Sequence, residues 1–60
     1  MKVFCVFQHR FNGCDTWTTF LSVHTTEEGA KNYVDMLEQR SIELGDWDVE
    51  YYYTEEELQP

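Results

Sequence analysis

Cysteine is scarce in this 60-residue chain: Cys5 and Cys14 are the only two, and they form no C-x-x-C pair. That excludes a disulfide framework, and with only His9 and His24 beside them no closed tetrahedral zinc set is expected. Lys2 is followed by an alternating strand pattern and not by the apolar core of a leader peptide, so the expected setting is the reducing cytoplasm. No apolar run approaches the roughly 18 residues of a membrane span. The three glycines, Gly13, Gly29 and Gly45, lie too far apart for a phosphate-cradling loop.

Positive charge is equally sparse. Lysine and arginine number 4 against 12 acids, for a net charge of −8. The imbalance is lopsided: residues 1–26 hold Lys2, Arg10 and Asp15, whereas residues 27–60 hold the other eleven acids against Lys31 and Arg40. Nucleic acid and anionic lipid are repelled by such a surface, while a basic protein, or a host protein that normally grips nucleic acid, is attracted. The same charge also serves plain solubility. Candidate partner-binding acids are Asp35, Glu38, Asp48, Glu50, Glu55, Glu56 and Glu57.

Hydrophobic residues make up 42% and aromatics 17%, enough for a folded core and against disorder. Sixty residues form a single domain, 1–60, that buries only about 60% of its unfolded surface. Domains of that size usually need a staple, and with disulfides and metal set aside a second subunit is the leading one.

Residues 2–11, KVFCVFQHRF, alternate as a strand, Asn12-Gly13 reads as a hairpin turn, and 16–24, TWTTFLSVH, return. Thr25 and Glu28 have the form of a capping box. A helix follows with Ala30, Val34, Leu37, Ser41 and Leu44 in its stripe, Tyr33 beside it and Gly45 at its end. Residues 46–53 alternate again as a third strand, after which Thr54-Glu55-Glu56-Glu57 caps a short turn or frays. The fold class is α+β, in the order β-β-α-β: a three-stranded antiparallel sheet of order 2-1-3 with one helix on one face.

Parity in the hairpin places Phe4, Val6, Trp17, Thr19, Leu21 and Val23 under the helix, joined by Trp47, Val49, Tyr51 and Tyr53. The opposite face then carries Val3, Cys5, Phe7, His9, Phe11, Phe20 and Tyr52, with Asp48 and Glu50, and no second helix covers it. A contiguous apolar patch of this kind marks an interaction surface, for a twofold dimer or a partner protein, unless aromatic side chains and a folded tail cover it within one copy.

Chemistry is harder to find. His9, Cys14 and Asp15 are neighbours around the turn, but no third group orients them and no pocket excludes water. No catalytic residue, metal ligand or cofactor is assigned. Tyr51, Tyr52 and Tyr53 could stack on bases, yet they stand beside Glu50 and Glu55 without basic neighbours.

The segments Met1-Lys2-Val3-Phe4-Cys5-Val6-Phe7-Gln8-His9 and Thr25-Thr26-Glu27-Glu28-Gly29-Ala30-Lys31-Asn32-Tyr33-Val34 resemble a loose group of short bacterial and bacteriophage proteins of unknown function. Those proteins open on a strand, make a hairpin and enter a helix through a similar motif. The resemblance spans most of the chain and carries over no catalytic residue. It implies a non-enzymatic protein that binds and blocks a host protein, such as a defence or nucleic-acid-handling enzyme, from the host cytoplasm. Two other readings stand beside it: a homodimeric accessory module with no inhibitory role, and a small-ligand or nucleotide binder using a cleft between subunits lined by His9, Arg10 and Trp17.

Overall fold

The computed structural model describes residues 1–58. Strand β1 (Lys2–Asn12) turns into β2 (Asp15–His24), helix α1 (Glu27–Leu44) follows, and β3 (Val49–Glu57) closes the fold. The sheet is antiparallel throughout, in the order β2-β1-β3, with α1 packed on one face. This is the α+β architecture expected from the sequence.

The hairpin turn sits one residue later than the Asn12-Gly13 signal suggests. Asn12 pairs with Asp15, so Gly13 and Cys14 are the two central residues. Only Gly13 takes a positive φ, of 62°, which is the conformation a side chain would resist.

One irregularity redistributes the side chains of β2. Val6 pairs with Ser22 and Phe7 with Phe20, which leaves Leu21 as a bulge. Beyond it the parity inverts. Ser22 and His24 share the helix-side face with Val6 and Phe4, and Val23 moves to the outer face opposite Cys5. The expectation that Val23 lies under the helix is therefore wrong. Leu21 itself still packs against the helix-side core.

Helix α1 starts one residue later than the capping-box reading. Thr26, not Thr25, is the N-cap, and its hydroxyl accepts a bond from the Gly29 backbone at 3.1 Å. Glu27 and Glu28 occupy the first turn, where the helix dipole favours acids. At the other end Gly45, with φ 73°, caps the helix by donating to Ile42 and Ser41 carbonyls. The stripe holds for Ala30, Val34 and Ser41, which are buried, but Leu44, the last residue of the helix, is 77% exposed.

The connection to β3 is locked by one buried side chain. Ser41 Oγ donates to the Asp46 carbonyl at 2.6 Å, and the Asp46 backbone N–H donates to the Ser41 carbonyl at 2.9 Å. Arg10 then grips the Asp46 carboxylate at 3.0 and 3.4 Å. Held in this loop, Trp47 falls outside the sheet and is 74% exposed, not part of the core as its alternation with Val49 suggested. Strand β3 begins at Val49 and runs through Glu55, Glu56 and Glu57, which lie in the sheet instead of a terminal turn.

The core is small. Phe4, Val6, Ala30 and Val34 form it, with Leu21, Tyr33, Leu37, Tyr51 and Tyr53 packed around. Among the described residues only Val6 and Ala30 are fully buried, so one copy of the chain encloses little apolar surface.

Candidate functional site

The outer face of the sheet carries the most organised group of side chains. Because partners across antiparallel strands share a face, Phe20, Phe7 and Tyr52 form a row that crosses all three strands. Phe7 meets Phe20 edge-on at 5.8 Å and lies nearly parallel to Tyr52 at 5.4 Å. The next row is polar: Thr18 and His9 are joined by a hydrogen bond of 2.9 Å, and Glu50 stands opposite His9. His9 also packs edge-on against Phe11 at 4.8 Å. On the other side of the aromatic row lie Val23, Cys5 and Thr54.

Most of the expected interaction face is therefore assembled as one surface. Phe20 is 56% exposed and Tyr52 40%, with Phe11 at the margin, so the row offers ring surface to solvent. Val3 is the exception among the predicted residues. It shares this face but is only 6% exposed, and contributes packing more than contact area. The inversion at Leu21 adds Val23, 55% exposed, which the sequence pattern assigned to the other side.

The seven candidate acids do not form one patch. Glu50 and Glu56 project from β3 on the outer face, while Glu55 and Glu57 alternate to the helix side, where Glu55 lies 3.8 Å from Lys2. Asp35 and Glu38 are exposed on α1, and Asp48 is exposed just ahead of β3.

The remaining candidates separate as well. His9 lies on the outer face, whereas Arg10 and Trp17 are paired on the helix side, so these three do not line one cleft within a chain. His9 and His24 also fall on opposite faces and do not share one. His24 instead bonds Ser22 at 2.9 Å and sets its ring 5.2 Å from that of Tyr33, joining β2 to the helix. Cys14 is exposed in the turn and Cys5 half-buried in the sheet. Among the described residues no group of three or more His, Cys, Asp or Glu is arranged to hold a metal ion, and no helix is long and apolar enough to cross a membrane.

A concave site that the sequence reading missed lies between the last turns of α1 and the start of β3. It has a volume of about 430 Å³ and gathers Trp47, Tyr51 and Tyr52 with Glu38, Asp46 and Glu50. That volume falls in the range of about 300–1,000 Å³ in which small groups are bound. Its signal in the sequence was Asp46-Trp47-Asp48, read as strand when the Ser41 and Arg10 contacts hold it as a loop.

Comparison of the chain with protein-family models, curated proteins and solved structures finds no match.

Proposed function

We propose that this chain is a non-enzymatic protein-binding module that works as a homodimer, joined through the outer face of its sheet. The observation that carries this reading is the Phe20–Phe7–Tyr52 row, in which Phe7 touches both other rings and Phe20 and Tyr52 stay 56% and 40% exposed. Exposed apolar rows of this kind cost free energy in water and are offset by burial against a second surface.

Size and charge favour a second copy as that surface. The molecule is a slab of 40 × 24 × 11 Å, so its broad face matches the roughly 800 Å² per partner of a standard interface. Two copies face to face would form a four-layer α/β/β/α sandwich and provide the core that one copy lacks. The rims select the orientation. Glu50 and Glu56 line the β3 side of this face, while the β2 side carries Thr16, Thr18 and Val23 without charge. A twofold axis running along β1 sets each acidic rim over the partner's uncharged rim, whereas an axis across the strands stacks acid on acid.

The two cysteines provide a test on the unaltered protein. Cys5 lies within the proposed seam and Cys14 in the exposed turn. Alkylation of Cys5, measured relative to Cys14 by mass spectrometry, is expected to slow as protein concentration rises. A ratio that stays constant over the whole concentration range contradicts the dimer.

A further inference from the structure

We infer that the cleft between α1 and β3 is a receptor for an arginine side chain of a protein partner. This inference rests on the reading of the chain as a protein-binding module; the cleft opens around the β3 edge, where Glu50 and Tyr52 also border the outer face. The cleft combines two features that recognise a guanidinium: aromatic faces and carboxylates. Trp47 is 74% exposed and lines the cleft beside Tyr51, so a flat cation can lie against the indole. Asp46 is already occupied by Arg10, at 3.0 Å, and its charge is compensated. Glu38 and Glu50 have no cationic partner among the described residues and are left to receive one.

The placement suits a side chain arriving from outside. Tyr52 and Glu50 belong to β3, an edge strand, and Glu38 to the exposed surface of α1. The cleft is thus bounded by an open strand edge on one side and a helix on the other. A chain carrying net charge −8 draws a basic partner toward it over several ångströms before contact. Arginine fits better than lysine because its planar group can stack on Trp47 and still present two N–H donors to a carboxylate. An acidic or neutral peptide has no counterpart for Glu38 and Glu50.

The test is a titration of the full-length wild-type chain with acetyl-Gly-Arg-Gly-amide, followed by the NMR shift of the Trp47 indole N–H. The Trp47→Phe variant assigns that signal. A saturable shift is expected with the arginine peptide, a weaker one with the lysine peptide, and none with the uncharged citrulline peptide. Glu38→Gln and Glu50→Gln are each expected to weaken binding roughly threefold, as for a solvent-exposed ion pair, with their remaining spectra unchanged. Equal responses to the arginine and citrulline peptides would overturn the proposal. So would undiminished binding by the Glu38→Gln/Glu50→Gln double variant. Tighter binding of tetramethylammonium than of the arginine peptide would also overturn it, in favour of a small-cation pocket. Molar mass is measured on the same samples, and because Glu50 and Tyr52 border the seam the titration is repeated on the monomeric Phe20→Asp variant: a flat titration on that monomer removes the cleft alone, and a saturable titration on a wild type that is monomeric removes the seam alone.

Discussion

The ring of His24 sits 5.2 Å from the ring of Tyr33, tying the end of β2 to the second turn of α1. This contact exists only because Leu21 is bulged out of the ladder. Without the extra residue, His24 would point away from the helix and Val23 would take its place.

The register predicts two unequal substitutions. Val23→Thr, made in the monomeric Phe20→Asp background where this outer position is exposed, is expected to change stability by less than about 0.5 kcal/mol. Leu21→Ala, in a half-buried position against the core, is expected to cost about 1–2 kcal/mol, below the about 2–5 kcal/mol of a fully buried leucine. Urea unfolding at one fixed protein concentration measures both. A larger loss at Val23 than at Leu21 would mean that the bulge lies elsewhere.

The helix start can be located in the same way. Thr26→Ala removes the hydroxyl that accepts the Gly29 N–H and is expected to cost about 1 kcal/mol. Thr25→Ala, one residue earlier, is expected to be close to neutral. Gly29 has little room to vary, since an added Cβ would lie 3.0 Å from Thr26 Oγ1 and 3.6 Å from His24 Nδ1. Equal costs at Thr25 and Thr26, again in urea, would restore the capping-box reading.

Ser41→Ala tests the lock that forms the loop before β3. It leaves the Asp46 carbonyl without its side-chain donor in a part-buried site, an expected loss of about 1–2 kcal/mol. Because this loop carries Trp47, the fluorescence spectrum is expected to change more than the sheet's circular dichroism. An unaltered Trp47 environment with full stability would show that the lock does not position the loop.

These details separate what the sequence reveals from what it hides. Alternation, the Gly13 turn and the helical stripe from Ala30 to Ser41 are period signals, and each led to the correct element and strand order. A bulge leaves a fainter trace: TWTTFLSVH breaks its alternation at Phe20-Leu21, where two apolar residues adjoin, but only the pairing of Val6 with Ser22 shows that the parity has changed. The cleft was hidden for a related reason. Asp46-Trp47-Asp48 continues the alternation of β3, and only the contacts from Ser41 and Arg10, five and thirty-six residues away from Asp46, pull it into a loop. On the outer face the sequence pattern found the aromatic row but could not show that Val3 is covered by its neighbours.

The central claim, that the outer face is a seam between two copies, meets its most direct test in solution molar mass. Light scattering over a concentration series, on the wild type and on Phe20→Asp, reads it without a partner or a label. Phe20 is chosen because it is 56% exposed in one copy and lies outside the core cluster, and Phe7→Glu probes the centre of the same row. The expected result is a wild type at twice the chain mass of 7.2 kDa and a folded Phe20→Asp variant at 7.2 kDa. A wild type that stays at 7.2 kDa throughout, or a Phe20→Asp variant that remains dimeric, would contradict the account.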